Sequence, residues 1–373
     1  MFALPIRKAD LFFLRLSIAL LVCIALFGFE NIAYAAALPS VTLAVPPSVQ
    51  IGADFTFTAT FDGTGTTGYG PFIDLVFPGT GADGNDGVSF TGASYLNQPL
   101  TTKQFTFPAS GCVSHPYAED TNHAPLQVCG TPGDSLVVLQ LPFGSFTPSQ
   151  PPLQATVQAA PSNLADLGAP LTIRARGGFQ YGNDALDNPC CDPSIVSPAS
   201  TNSALWPGSP LTPSLVSLTK TYIGPEDETA SGPNYLREYR IDVDIAPGQT
   251  ITNLDITDLL PNNEAFLSVV SSSPPGASIT ASPPAGAPAN APNNKVTLRF
   301  PSVTGGTGSA DASVTFSFYV PLNDANAAPV ITASSGDDVQ SLNNARAQGT
   351  WVPLDARDPS SPGNALVDTI GPE

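Results

Sequence analysis

Apolar side chains recur at every second position through much of this chain, and that single period leaves few architectures open. In 54–62, Phe55, Phe57, Ala59 and Phe61 share one face while Thr56, Thr58 and Thr60 share the other. In 235–245, Tyr235, Tyr239, Ile241, Val243 and Ile245 oppose Leu236, Glu238, Arg240, Asp242 and Asp244. Val314, Phe316, Phe318 and Val320 alternate with Ser313, Thr315, Ser317 and Tyr319, and Val296, Leu298 and Phe300 repeat the pattern. A period of two with one apolar face marks half-buried strands of antiparallel sheets. Clusters of Pro, Gly, Asn and Asp punctuate the runs, as turns require. The 40 prolines are spread along all 373 residues and break helices wherever they fall. Beyond the N-terminus no run has a helical period, so the expected class is all-β, built as stacked antiparallel β-sandwiches.

The N-terminus reads differently. Arg7, Lys8 and Arg15 precede an apolar stretch at 16–29, and Ala33, Tyr34 and Ala35 form an A-x-A site. This is the pattern of a secretory signal peptide over 1–35, with cleavage after Ala35. The apolar stretch is short for a membrane span of ~20 residues, so the mature chain is expected to have no span of its own. With 31 acidic against 13 basic residues the formal net charge is −18, which repels a phosphate backbone and argues against nucleic acid. The loop-like stretch 187–214 suggests a boundary, giving an N-terminal sandwich over 38–208 and a second over 212–358. Residues 359–373 read as a linker or tail, and 271–294, rich in Pro, Ala, Ser and Gly, as a long loop of the second domain.

Residues 215–350 carry a resemblance. The segment 215–222 (LVSLTKTY), the strand and turn 238–269 with LDITDLLP at 254–261, and LNNARAQG at 342–349 resemble the repeat module of bacterial surface proteins called DUF11 or the conserved repeat domain, which is related to isopeptide-forming fimbrial domains. The resemblance implies immunoglobulin-like sandwiches in tandem and an extracellular place. It also implies a chemistry for Lys220, Asp258 and Asn344. In isopeptide-forming relatives a first-strand lysine attacks an asparagine of the last strand, and a buried carboxyl moves the proton. An apolar interior favours the neutral amine and the protonated acid that this reaction needs. The alternative is a surface lysine whose stem covers a sheet edge, with Asp258 fixing a turn.

All four cysteines of the mature chain, Cys112, Cys129, Cys190 and Cys191, fall in the first domain, and an even count in an exported chain implies disulfides. A Cys112–Cys129 bridge with a vicinal Cys190–Cys191 pair is one of three connectivities, and the sequence does not choose between them. His115 and His123 lie between Cys112 and Cys129, so a zinc site is the competing reading of that pair. The acidic turn with Asp83, Asn85 and Asp86 suits calcium by its alternating oxygen ligands, or is an Asx/Gly hairpin turn. No other cofactor is expected. Neither a G-x-S-x-G elbow nor an H-E-x-x-H motif occurs, and no enzyme is expected. The functional expectation is a secreted or cell-surface structural or adhesive protein meeting an unidentified surface or matrix ligand. The competing expectation is a secreted hydrolase or carbohydrate-binding protein with its site in the loops of the first domain.

Overall fold

The computed structural model describes residues 37–80, 85–182, 193–225, 234–291, 294–308, 310–330 and 342–353, and the backbone of 365–369. The signal segment with Ala35, together with Asp83, Cys190 and Cys191, lies outside the described residues. The described residues form an all-β chain of tandem sandwiches, antiparallel apart from the parallel pairing of Ser48–Gln50 with Gly208–Ser214, with one short 3-10 turn at Ser203–Leu205. None of their helices is long and apolar enough to cross a membrane.

The first sandwich is built from β1 (Leu38–Ala44), β2 (Ser48–Gln50), β3 (Phe55–Thr64), β4 (Gly68–Phe77), β5 (Val88–Tyr95), β6 (Gln98–Pro99), β7 (Thr101–Thr106), β8 (Cys112–Glu119), β9 (Pro125–Cys129), β10 (Ser135–Gln140), β11 (Ser145–Phe146), β12 (Leu153–Pro161), β13 (Leu171–Tyr181), β14 (Ile195–Ser197) and β15 (Gly208–Ser214). One sheet has the order β1-β3-β12-β5-β6. The sheet facing it runs β2-β15-β13-β4-β10-β7, with β11 added to β4 and β14 to β13. The alternation in β3 sets the core: Phe57, Ala59 and Phe61 are buried between the sheets, and Thr56 is exposed. Phe61 meets Phe146 and Phe179 edge-on, with ring centroids 5.2 and 5.6 Å away. The hairpin β8–β9 belongs to neither sheet. Its Ala118 and Val128 join Phe107 and Trp206 over the outer face of β4 and β10, where Phe72, Val76, Leu136 and Val138 form a second, smaller core.

The second sandwich comprises β16 (Val216–Gly224), β17 (Arg237–Ile245), β18 (Thr250–Leu259), β19 (Ala265–Ser273), β20 (Ser278–Ala281), β21 (Lys295–Thr304), β22 (Ala312–Tyr319), β23 (Asn344–Trp351) and β24 (Ala365–Thr369). Its sheets are β16-β17-β22-β19 and β20-β21-β18-β23-β24. Ile241, Val243 and Ile245 face inward as their alternation requires, as do Val296, Leu298 and Phe300 and the residues Val314, Phe316 and Phe318. The main core is continuous from one sandwich into the other. Gln50 Nε2 donates to the Asp244 carbonyl at 3.0 Å, and the Ile51 amide donates to the Ser214 carbonyl.

Several local expectations are revised. Within the expected loop-like stretch 187–214, Gly208–Ser214 is the strand β15, held by β13 and β2, and Leu211 supplies it a buried side chain. Tyr235 and Leu236 precede β17 and are exposed, so the alternation extends further than the strand. Within the expected loop 271–294, β19 runs on to Ser273 and β20 occupies Ser278–Ala281. In the tail, Ala365–Thr369 pairs antiparallel with β23, since backbone groups alone make such a ladder.

Replacing Phe61 by Ala removes a ring that is fully buried and has two aromatic neighbours. Unfolding in denaturant should show a loss of about 3–5 kcal/mol, against less than about 0.5 kcal/mol for Thr56→Ala on the exposed face. Equal losses from the two variants would contradict the assigned inner face of β3.

Candidate functional site

Between the sheets of the second sandwich sits a cluster of polar side chains. Lys220 lies on β16 in phase with Val216 and Leu218, and these alternate positions all point inward. Asp258 lies on β18 in the facing sheet. Asn253, with φ of 52°, makes a bulge there that shifts the register against β23, and beyond it Leu254, Ile256 and Asp258 share the inner face. Lys220 Nζ is 3.0 Å from both Oδ1 and Oδ2 of Asp258, so the ion pair crosses the sandwich from sheet to sheet. Both side chains are almost wholly shielded, at 3% and 0% exposure.

The third member is Asn343, which the sequence reading passed over for its neighbour. Ala345 pairs with Asp258, and Asn344 with Leu259. Side chains alternate along a strand, so Asn343, Ala345 and Ala347 face the interior while Asn344 and Arg346 turn away. Asn344 is accordingly only half-buried, whereas Asn343 is fully buried and bonded to the Asp258 carboxyl. Asn343 Nδ2 also donates to Glu264 Oε2 at 3.3 Å, and its Oδ1 is buried without a hydrogen-bond partner. Glu264 is a second acid that sequence reasoning missed. A lone glutamate between the turn residues 261–263 and the apolar start of β19 was the available signal. The turn is held by the Glu264 amide on the Pro261 carbonyl and by Asn294 Nδ2, which donates to the carbonyls of both residues.

An aromatic wall covers the amine. Lys220 Nζ stands 4.4 Å from the ring centre of Tyr239, which stacks on Phe318 with centroids 4.6 Å apart. Burial pushes the Asp258 carboxyl above its ordinary range. The Lys220 charge, with hydrogen bonds from Lys220 and Asn343, opposes that push without cancelling it. Burial also raises the Tyr239 phenol, helped by the charges of Glu264 and Asp258. A carboxyl raised by burial holds a proton more readily than an ordinary carboxylate does.

A second charged cluster lies on the first sandwich, under the β8–β9 hairpin. Asp74 projects from the outer face of β4. Its Oδ1 is 2.9 Å from His115 Nε2, and its Oδ2 accepts from Arg176 Nε at 2.8 Å. His115 Nδ1 accepts the amides of Tyr117 and Ala118, so Nε2 carries the proton given to Asp74. Arg176 lies 4.3 Å from the Trp206 ring centre and donates to the Ser200 carbonyl. Burial alone would raise the Asp74 carboxyl, but the hydrogen bonds of His115 and Arg176, with the guanidinium charge, hold it below its ordinary value of 3.8. Cys112 and Cys129 are bonded to each other at the base of the hairpin. The zinc reading of this segment is therefore set aside. Both thiols are consumed, His115 is committed to Asp74, and His123 is exposed beside Glu119. In the expected calcium turn, Asn85 is exposed and Asp86 buried. Among the described residues no three His, Cys, Asp or Glu side chains gather as a metal site.

No protein family profile matches the sequence, so the likeness to the conserved repeat domain remains one of motifs, and no curated protein matches it either. Solved structures give distant likenesses. The C-terminal fragment of a major pilin from Streptococcus agalactiae is 11% identical, over 89% of this chain and 91% of that one, with a TM-score of 0.26. Two domains of the major pilin SpaD of Corynebacterium diphtheriae are 12% identical over 90% and 88%, with a TM-score of 0.24. A cohesin module from a Clostridium perfringens glycoside hydrolase is 10% identical over 47% and 96%, also with a TM-score of 0.24. At such scores no property of those proteins is carried over to this one.

The Cys112–Cys129 bridge closes a loop of 17 residues, which the chain-entropy account values at ~3 kcal/mol. Replacing both cysteines by serine should lower stability in denaturant by about that amount, and an unchanged midpoint would count against the bond. Asp74 gives a pH signature. Its folded value lies below its unfolded one, so its contribution is complete above the unfolded value and fades as pH falls through the folded value. Acid titration of stability should therefore show a loss beginning below about pH 4 that is absent in Asp74→Asn. The variant itself should be about 3–5 kcal/mol less stable at neutral pH, because it leaves Arg176 buried beside a neutral group.

Proposed function

We propose that this chain is an exported structural or adhesive protein of the bacterial cell surface, whose second sandwich is clamped by an amide bond between Lys220 and Asn343. The observation that carries the reading is the buried set of Lys220, Asp258 and Asn343, with the amine on one sheet and the amide at the start of β23 in the other. Such a set is costly as plain structure. A buried ion pair commonly contributes little against a well-packed apolar replacement, and an unpaired carbonyl such as Asn343 Oδ1 adds a desolvation cost.

Reaction removes the charges. Asp258 takes a proton from the Lys220 ammonium, the freed pair on Nζ attacks Cγ of Asn343, and the side-chain amide nitrogen leaves as ammonia. One carbon–nitrogen bond replaces another, with no oxidant. The new bond would tie β16 to β23 and close a long loop, worth about 4–5 kcal/mol on the chain-entropy account. A covalent tie between sheets resists pulling and proteolysis, which suits a stalk or an adhesin arm. The disulfide fits the oxidising compartment that an exported protein meets. Surface hydroxyls on outward strand faces and the strong negative charge fit a hydrated, non-associating exterior. The ligand of such a protein would be another cell-surface or matrix component.

The intact mass of the exported protein tests the reading. Wild type should be lighter by one ammonia than its sequence mass, after allowance for signal removal and disulfides. Lys220→Ala and Asn343→Ala should regain the full mass and melt at lower temperature, while Asn344→Ala should still lose ammonia. A wild-type protein of full mass after folding would remove the cross-link and with it the chief support for a clamped stalk.

A further inference from the structure

Two buried acids, not one, touch the reacting groups, and they touch different ends of the reaction. Asp258 holds the lysine, with both oxygens 3.0 Å from Nζ. Glu264, itself 1% exposed, holds the opposite end, with Oε2 3.3 Å from Asn343 Nδ2. That nitrogen is the atom that must depart. Amide nitrogen is a poor leaving group unless it gains a proton, and a carboxyl within hydrogen-bond reach supplies one effectively.

We infer that Glu264 is a second catalytic residue of the cross-linking reaction, the acid that protonates the leaving nitrogen, while Asp258 serves as the base for the lysine. The inference rests on the Lys220–Asn343 reading above. After Asp258 has taken the ammonium proton, the Nζ lone pair forms a bond to Cγ, and the carbonyl π pair moves onto Oδ1. The attacking nitrogen, now bonded to Cγ, sheds one proton, and the Glu264 carboxylate takes it and passes it to Nδ2. The Cγ–Nδ2 bond then breaks with its pair going to nitrogen, and the carbonyl re-forms as ammonia leaves. Glu264 ends as the carboxylate it was. The balance is one amine and one primary amide giving one secondary amide and one ammonia. Glu264 is fixed for this role by its turn: the Pro261 carbonyl accepts its amide, and Asn294 ties both residues' carbonyls.

The test follows ammonia loss by intact mass in the full chain during its first folding, starting from chains collected unfolded in denaturant before the cross-link can form, for wild type, Asp258→Asn and Glu264→Gln. The near-ultraviolet dichroism of each variant reports whether it has folded. Glu264→Gln keeps the shape and a hydrogen-bonding amide but cannot take up a proton and pass it on. The expected result is a folded variant whose ammonia loss is slowed at least about 100-fold. Wild type and Glu264→Gln losing ammonia at equal rates would leave the cross-link standing and overturn the role of Glu264. Wild type retaining its ammonia would instead overturn the cross-link itself, and this inference with it. Should Glu264→Gln fail to fold, Glu264→Asp keeps a carboxyl one methylene further from Nδ2. Its ammonia loss should be slowed at least about tenfold, and a wild-type rate would overturn the role.

Discussion

The space between the sheets of each sandwich, and that under the β8–β9 hairpin, excludes water, and a polar side chain placed there must find its partner inside the protein. An unpaired buried charge costs several kcal/mol, so such groups occur in closed sets or are held for reaction. The sandwiches of this chain meet that constraint in two different ways. On the first, the Asp74 carboxylate is matched by a guanidinium and an imidazole N–H, while Arg176 Nη2 is buried without a hydrogen-bond partner. In the second, one ammonium faces Asp258, a second acid stands nearby, and the amide between the acids leaves its carbonyl oxygen unmatched.

The two aspartates show the consequence. Both are fully buried, and burial is the largest influence on each. Asp74 nonetheless ends below its ordinary value because Arg176 and His115 both favour its charge. Asp258 ends above, because Lys220 and Asn343 together do not repay the lost hydration. The first arrangement pins the β8–β9 hairpin to the sheet, where Trp206 and the disulfide finish the small outer core. The second sets a carboxyl raised by burial against an ammonium, with a buried amide beside them.

Much of the fold was legible because strand alternation is a local property. The apolar faces of β3, β17, β21 and β22 follow from their residues alone, since each side chain's face is set by its parity along the strand. The outer core was half legible. The segment 71–77 is apolar on both faces apart from Asp74, which is how a strand covered on both sides reads. What covers its outer face comes from 107–128 and 206, and no local pattern names those residues. The slip from Asn344 to Asn343 has the same origin. Both are asparagines, a shift of one residue exchanges the faces, and only the pairing of Ala345 with Asp258 fixes the parity.

The sequence by itself determined an all-β chain, the inward residues of its clear strands, and the presence of an amine, an acid and an amide along the second sandwich. Tertiary structure decided which sheet carries each of them, that Asn343 and not Asn344 turns inward, that Glu264 reaches the amide nitrogen, and that Cys112 is joined to Cys129. The physical reason is range. Alternation arises between neighbours two residues apart, whereas register, facing and burial are set by strands distant in sequence that meet only when the sheets close over a common core.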